Sequence, residues 1–251
     1  MKNISYKNEI IWIIGASSGI GYALAVELAA RGATLALSAR RKEELEKLKE
    51  RIGERHMIYP LDVADTELTI RTAKAIHAGN GRIDRVIFMS AAYTPMQLDA
   101  LNMLVTRHMV DVNIMGAFNV VHAVLALLKE QKSGQIALCA SVAGYTGLSG
   151  GQPYSATKAA VINMAESLYA ECPNHIDIKL ISPGFVRTPL TDKNNFSMPM
   201  IITPEAAAKA IASALHSKRF EIHFPKKFTL MLKLLRLMPY PLKLLISRQM
   251  Q

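Results

Sequence analysis

The sequence predicts a single doubly wound α/β domain, in which a parallel sheet is covered by helices on both faces. Short β-branched runs alternate with longer segments of helical periodicity through most of the 251 residues. The short runs are apolar at successive positions, as expected for strands buried on both sides. No internal repeat and no linker rich in glycine, serine or proline interrupts the pattern. We therefore expect one domain at residues 1–224 and a basic amphipathic tail at 225–251.

Each element follows from a local pattern. The first strand, 9–14, is a continuous apolar run, and the helix at 20–30 ends before Gly32. The charged segment 42–51 is expected to be an exposed helix. Further strands are predicted at 34–38, 56–60, 85–89, 135–140, 177–181 and 220–224, and further helices at 65–78, 98–129 and 154–171.

Composition excludes several classes of protein. With 50% hydrophobic residues, the chain can offset its ordering entropy by burial, so intrinsic disorder is excluded. Cys139 and Cys172 form no CxxC motif, so neither a metal site nor a disulfide framework is expected, and a reducing cytoplasmic setting is predicted. The N-terminus lacks the apolar run of a signal peptide. No uninterrupted apolar run reaches the roughly 18 residues of an ordinary transmembrane helix.

A glycine-rich loop, Gly15-Ala16-Ser17-Ser18-Gly19-Ile20-Gly21, follows the first strand and opens a helix. Glycines at these positions allow a tight turn and let main-chain amides and the helix N-terminus approach a pyrophosphate. The spacing is GxxxGxG, and its place in an α/β pattern predicts a dinucleotide site of the Rossmann type.

The end of the second strand indicates which dinucleotide binds. An NAD site would place an acidic residue there for the ribose 2′-hydroxyl, whereas this chain has Arg40 and Arg41. Guanidinium groups bind a 2′-phosphate through charge-assisted hydrogen bonds, so NADP is favoured over NAD. The alternative is that both arginines only begin the exposed helix.

Tyr154 and Lys158 stand four residues apart at the start of a predicted helix, which places both on one face. A phenol is a poor proton donor or base near neutrality, and an adjacent ammonium would bring its pKa down. The pair therefore predicts an acid–base site, although YxxxK also occurs in ordinary surface pairs.

Further motifs occur in a fixed order: the glycine loop, Asp62-Val63, Asn113, Ser141, the Tyr154/Lys158 pair and Ser182-Pro183-Gly184. In this combination the chain resembles the short-chain dehydrogenase/reductase family over roughly residues 8–216. The resemblance implies hydride transfer between a nicotinamide cofactor and a carbonyl or alcohol carbon. It also implies a homodimer or homotetramer, paired through the helices around Asn113 and Tyr154.

The resemblance implies a role for each matching residue. Tyr154 would be the catalytic acid or base, and Lys158 would lower its pKa and hold the nicotinamide ribose. Ser141 would orient the carbonyl, and Asn113 would hold a water in the proton relay. Asp62 and Val63 would contact adenine, while Val186 and Thr188 would receive the carboxamide. The full set of implied cofactor contacts is Gly15, Ser17, Ser18, Gly19, Ile20, Gly21, Arg40, Arg41, Asp62, Val63, Ser90, Ala91, Tyr154, Lys158, Pro183, Val186 and Thr188.

Two departures from the family pattern concern the cofactor side. The family has Thr before the first loop glycine, where this chain has Ile14, and Asn-Asn-Ala-Gly where this chain has residues 90–93, Ser-Ala-Ala-Tyr. We expect Ile14 and Ser90 to form one coupled repacking, and Tyr93 to alter the backbone beside the ribose.

The predicted substrate segment follows the Pro-Gly motif and is mainly apolar, which favours an apolar, possibly lipid-like substrate. A lid that merely closes over the cofactor would have the same composition. Its apolar residues are Phe185, Leu190, Phe196, Met198 and Met200, interspersed with Arg187 and Lys193, and the opposite wall is predicted to be Val142, Tyr145 and Leu148.

Most of the formal charge of +10 lies in the tail. Residues 218–251 carry eight basic side chains and one acidic side chain, Glu221. If one helix continued through Pro239 and Pro241, one of its faces would carry Lys226, Lys233, Arg236 and Lys243. Even with a break at the prolines, the segments before and after them are each expected to have cations on one side and Leu and Met on the other. We expect residues 226–248 to contact the inner face of a membrane. The alternatives are a cover over the pocket, a dimer interface and, least favoured, a nucleic-acid surface.

A rival hypothesis of another class is a non-catalytic, membrane-associated scaffold that binds a dinucleotide. It is disfavoured because Asn113, Ser141, Tyr154 and Lys158 are all present. A scaffold that had lost its chemistry would be free to lose any of them.

Overall fold

A seven-stranded parallel sheet forms the centre of the computed structural model, which describes residues 4–147 and 149–249, with side chains up to residue 247. The strand order is β3-β2-β1-β4-β5-β6-β7. The strands are β1 (Ile10–Ile14), β2 (Thr34–Ala39), β3 (Met57–Pro60), β4 (Arg85–Phe88), β5 (Gly134–Cys139), β6 (Ile176–Pro183) and β7 (Glu221–Phe224).

Helices cover both faces of this sheet, and two apolar clusters form the core. The described helices are α1 (Gly19–Ala30), α2 (Lys42–Ile52), α3 (Thr66–Asn80), α4 (Met103–Val110), α5 (Gly116–Gln131), α6 (Tyr154–Glu171), α7 (Pro204–Ala214), α8 (Lys226–Leu237) and α9 (Tyr240–Gln249). One cluster joins the sheet to α1, α2 and α7, and the other joins it to α3, α5, α6 and α8. The predicted doubly wound parallel fold is confirmed.

The topology positions a crevice beside β1. The chain winds outward from β1 through β2 to β3, and in the opposite direction from β4 to β7, so the strand order switches between β1 and β4. At the carboxyl end of β1, Ile14 lies between Ser38 of β2 and Phe88 of β4. The loops that follow β1 and β4 leave in opposite directions from this point, and open α/β sheets bind ligands in such a crevice.

Two helical segments differ from the prediction. The span predicted at 98–129 is α4 and α5, joined by a π-helical turn, Asp111–Met115. Helix α7 was not predicted, although Thr203 caps it by accepting a hydrogen bond from Ala206 N at 3.2 Å and Pro204 occupies its first turn.

Among the described residues, the continuous helix Met103–Gln131 has the length and apolar composition of a membrane span. Half of its most apolar window is buried inside the fold, as is usual for the core helix of a domain, so this finding supports a span only weakly.

The tail folds as two helices. Helix α8 ends at Leu237, before Pro239, and α9 begins at Tyr240. The chain therefore does not continue as one helix through the prolines. The condition for aligning the cations from Lys226 to Lys243 on one helical face is not met. Phe228, Leu232 and Leu235 of α8 are buried in the core cluster on the α6 side of the sheet.

Candidate active site

A cavity of about 1280 Å³ lies at the carboxyl edge of the sheet, at the switch between β1 and β4. It is larger than the usual pocket of a drug-sized ligand, roughly 300–1,000 Å³. Every residue predicted to contact the cofactor lines it, and so does Ser141. Among the predicted catalytic and cofactor-binding residues, Asn113 is the one that does not.

The glycine loop approaches the neighbouring strand ends too closely for side chains. Gly15 has φ +96°, and a Cβ there would lie 2.6 Å from Ser90 N. A Cβ on Gly21 would collide with the carbonyl oxygen of Gly15. Ser18, which precedes α1, makes no side-chain cap, so the first-turn amides keep their capacity to bind an anion. This cradle fits the pyrophosphate of a dinucleotide.

The two arginines lie beside this cradle. Arg41 donates from Nη2 to Ser17 Oγ at 3.1 Å, which brings its guanidinium to the glycine loop. Both arginines are exposed and line the cavity. Within residues 4–147 and 149–249, neither forms an ion pair. Their charge is therefore available to a phosphate in the cavity.

Ser141 lies two residues after β5 and caps a one-turn 3₁₀ helix. Its Oγ accepts a hydrogen bond from Ala143 N at 3.1 Å. The hydroxyl hydrogen is left to donate to another acceptor in the cavity. Ser155 Oγ donates to the carbonyl oxygen of Ala143 at 2.5 Å and so fastens this turn to α6.

Gly144 allows the Ser141 turn to pack against α6. A Cβ on Gly144 would lie 2.7 Å from the carbonyl carbon of Lys158 and 2.8 Å from Ala159 N. We expect Gly144→Ala to lower the free energy of unfolding by about 1–3 kcal/mol, because the helix must move away from the turn. Denaturant unfolding measures this change. Gly147→Ala is the matched control, because its Cβ would have no neighbour within 4 Å; equal stability losses in the two variants would contradict the prediction.

Tyr154 and Lys158 face the cavity from the first two turns of α6. Lys158 is 1% exposed, and its Nζ donates to the carbonyl oxygen of Cys139 at 2.9 Å. The same Nζ lies 5.6 Å from the centre of the Tyr154 ring. The pair therefore shares one helix face, as its spacing predicted.

The pKa values of this pair differ from expectation. Burial raises the pKa of Tyr154, and the hydrogen bond from Ser141 only partly opposes it. Lys158 Nζ is hydrogen-bonded to the main chain of β5, and Lys158 is not among the groups that shift the pKa of Tyr154 here, so its role in lowering that pKa stays a prediction. Burial also lowers the pKa of Lys158.

Asn113 positions other parts of the site. It is fully buried in the π-helical turn, where Oδ1 accepts from Ala92 N at 2.7 Å. Its Nδ2 donates to the carbonyl oxygen of Ala92 at 3.0 Å and to Thr157 Oγ1 at 2.9 Å. The side chain thus ties the segment after β4 to α6 and does not reach the cavity. The predicted role of Asn113 in holding a water stays a prediction.

Tyr93 is a site residue that the sequence-based contact set omitted. Its ring meets that of Tyr154 at 70°, with centroids 4.9 Å apart. Its hydroxyl donates to Asn194 Oδ1 at 2.6 Å, and its carbonyl oxygen accepts from Lys193 Nζ at 2.9 Å. Tyr93 therefore links Tyr154 of α6 to Lys193 and Asn194 of the predicted substrate segment. The signal was an aromatic residue where the family has glycine.

The apolar wall of the cavity is only partly the one predicted. Phe185, Leu190, Phe196 and Val142 line the cavity, and Phe228 and Leu232 of α8 join them unexpectedly. Met198, Met200, Arg187 and Lys193 do not line it, and Leu148 lies outside the described residues. Tyr145 also faces elsewhere, because it is buried and donates its hydroxyl to Glu221.

Comparisons with known proteins agree with this geometry. The chain matches the family model described as short chain dehydrogenase over residues 9–198. It is 30% identical over 246 residues to an uncharacterized oxidoreductase of Myxococcus xanthus, with 96% of each chain covered. It is 36% identical over 230 residues to one of Listeria innocua, covering 84% of this chain and 92% of the relative.

Solved structures share the fold. A short-chain dehydrogenase/reductase of Burkholderia phymatum in complex with NAD matches with a TM-score of 0.85 at 20% identity, covering 92% of this chain and 94% of that one. An alcohol dehydrogenase of Thermococcus sibiricus complexed with 5-hydroxy-NADP matches with a TM-score of 0.79 at 25% identity, covering 86% and 95%. Because these neighbours include both an NAD and an NADP complex, they do not decide between the two cofactors.

Proposed function

Because the chain belongs to the short-chain dehydrogenase family and is an oxidoreductase with a fold that binds NAD(P), we propose that it is an NADP-dependent reductase or alcohol dehydrogenase acting on a mainly apolar substrate. One observation carries the proposal. Ser141, Tyr154 and Lys158 line the same cavity as the glycine loop and the two arginines.

In this proposal the cofactor lies along the switch-point crevice. The glycine loop holds its pyrophosphate, and Arg40 and Arg41 hold the 2′-phosphate. Asp62 and Val63 contact the adenine; Val63 is already fixed, since Asn119 Nδ2 donates to its carbonyl oxygen at 2.8 Å. The contacts at the other end of the cofactor are Ser90, Ala91, Pro183, Val186 and Thr188. When bound, a nicotinamide dinucleotide supplies or accepts the hydride.

The protein's own groups handle the substrate oxygen and the proton. With substrate bound, the hydroxyl of Ser141 turns from Tyr154 to donate to the substrate oxygen and orients it. Tyr154 gives a proton to that oxygen during reduction and removes it during oxidation. Lys158, buried beneath the tyrosine, holds the ribose hydroxyls and keeps a positive charge near the phenol.

The pH dependence follows from the raised pKa of Tyr154. Reduction uses the protonated phenol, so its kcat/KM is expected to stay flat through neutral pH and to fall only in the alkaline range. Oxidation uses the phenolate, so its kcat/KM is expected to rise about tenfold per pH unit. Rates measured across pH in both directions check this. An oxidation rate that levels off near neutrality, at about pH 7, would show a lowered pKa instead.

The apolar wall supports an apolar substrate. Phe185, Phe196, Phe228 and Leu232 meet in the cavity, and the ring of Phe185 lies 5.4 Å from that of Phe228 between centroids. Burial of one methylene is worth about 0.8 kcal/mol. We therefore expect kcat/KM for methyl ketones to rise about fourfold per added methylene until the cavity is filled.

Steady-state rates with NADPH and a ketone series of increasing chain length test both the activity and its apolar preference. A keto acid with the same chain and a terminal carboxylate is the control and should react poorly. Rates that do not change along the series, or a preference for the keto acid, would contradict the apolar site.

The proposal includes a homodimer or homotetramer in the cytoplasm, with the tail at the inner membrane face. Exposed apolar side chains on α4, the π-helical turn, α5 and α6 support self-association, and they are Met103, Leu104, Met115, Phe118 and Tyr169. Both cysteines are free, which suits a reducing compartment. Light scattering of the purified protein tests the oligomeric state.

A further inference from the structure

Helix α8 presents apolar side chains on two opposite faces. Its inward face is Phe228, Leu232 and Leu235, all buried. Its outward face is Leu230, Met231, Leu234 and Leu237, which are 51–81% exposed. Four large apolar side chains on one exposed face of a twelve-residue helix form a patch of the kind that marks an interaction surface.

The helix is fixed to the domain by its polar side chains. Lys233 pairs with Glu221, which also accepts the hydroxyl of Tyr145. Arg236 Nη2 lies 3.7 Å from Glu166 of α6. The prediction that cations occupy one side and Leu and Met the other is therefore wrong for α8. Two of its cations neutralise carboxylates of the domain, and its apolar residues lie on both sides.

Within residues 4–147 and 149–247, three cations of the tail helices form no ion pair. Lys226 and Lys227 are exposed in the first turn of α8. Helix α9 adds Lys243 and four exposed apolar side chains, Tyr240, Leu242, Leu244 and Leu245. The sequence after Glu221 contains no acidic residue. Lys227 precedes Leu230 and Met231 by three and four residues and so shares their helical face, and the outward face of α8 is an apolar strip with positive charge at its N-terminal end.

Charge favours one occupant for this face over the alternatives. In a symmetric dimer the same patch would meet its own copy, so the lysines of the two subunits would repel each other without acidic partners. A bilayer with anionic headgroups offers both an apolar layer and negative charge.

We propose that the outward face of α8, with α9, docks on an anionic membrane surface and that α8 is then the wall between bilayer and cavity. An α-helix is only about 10–12 Å across. Phe228 and Leu232 contact the cavity from one side of α8 while Leu230 and Leu234 lie in the lipid interface on the other. Apolar substrates that partition into the membrane would then reach the cavity past α8. This part of the proposal rests on the proposed function.

The test is flotation of the full-length protein with vesicles of phosphatidylcholine and phosphatidylglycerol, compared with vesicles of phosphatidylcholine alone. We expect binding to the anionic vesicles only, lowered about tenfold or more in L234S/L237S. A smaller loss is expected in K226Q/K227Q. The matched controls are L98S/L101S for apolar exposure and R71Q/K74Q for exposed charge; both should bind as the wild type does.

Each outcome decides the proposal. Failure of the wild type to float with anionic vesicles, or equal binding by L234S/L237S and its control, overturns it. A shift of L234S/L237S to a smaller oligomer with unchanged vesicle binding assigns the face to a second copy and also overturns it. NADPH titration of the same variants separates this question from the proposed enzyme activity, because neither Leu234 nor Leu237 lines the cavity.

Discussion

Replacement of Tyr154 by phenylalanine is expected to reduce kcat by about 10²- to 10⁴-fold, with NADPH binding unchanged. In the proposed mechanism the hydroxyl exchanges a proton with the substrate oxygen, and the phenylalanine ring keeps the edge contact with Tyr93. Steady-state rates measure the loss, and cofactor fluorescence measures binding. The same substitution should remove the pH dependence of oxidation.

Tyr93→Phe is the matched control for this variant. It removes a hydroxyl from the neighbouring ring and breaks the hydrogen bond to Asn194 without touching the proton path. We expect it to alter KM more than kcat, because it loosens the link to the substrate segment. Turnover by Tyr154→Phe at the rate of Tyr93→Phe would show that the phenol of Tyr154 is not the acid–base group.

Arg41→Ala is expected to weaken NADPH binding by about 10- to 100-fold and to leave NADH binding nearly unchanged. The estimate follows from the loss of hydrogen bonds to a charged group, about 1.5–3 kcal/mol. Arg41 is directed to the glycine loop by its hydrogen bond to Ser17, and in the proposed binding mode its guanidinium holds the 2′-phosphate. Parallel titrations with the two cofactors measure the change in preference.

Arg71→Ala provides the control, because Arg71 is an exposed arginine on α3 that does not line the cavity. It removes the same charge and should leave both affinities unchanged. Equal losses for NADPH and NADH in Arg41→Ala would mean that the guanidinium supports the glycine loop and does not read the 2′-phosphate.

The order of strands and helices could be predicted because each strand is a short apolar run and each turn carries local signals. The glycine loop and the spacing of Tyr154 and Lys158 are likewise local patterns. Helix α7 could not be predicted in the same way, although Thr203 and Pro204 mark its start, because its buried face is mostly alanine. The π-helical turn within the span 98–129, where Asn113 is fully buried, has no local sequence signal.

Contacts between distant segments could not be predicted. Tyr93 meets Asn194 across about a hundred residues, and Tyr145 meets Glu221 across 76. The upward direction of the Tyr154 pKa shift comes first from burial, which only the folded chain defines. The sequence of α8 predicts cations on one side and Leu and Met on the other. Its packing on the core instead buries one set of apolar side chains and leaves another set exposed on the opposite face.

Fluorescence titration of the purified wild-type protein with NADPH and, in parallel, NADH addresses the proposed dinucleotide site most directly. Saturable, tight binding of NADPH with much weaker binding of NADH is the predicted result. Preference for NADH would contradict the role given to Arg40 and Arg41, but the proposed oxidoreductase activity would still stand. Binding of neither would contradict the cofactor site itself, and would mean that Ile14, Ser90 and Tyr93 close the crevice.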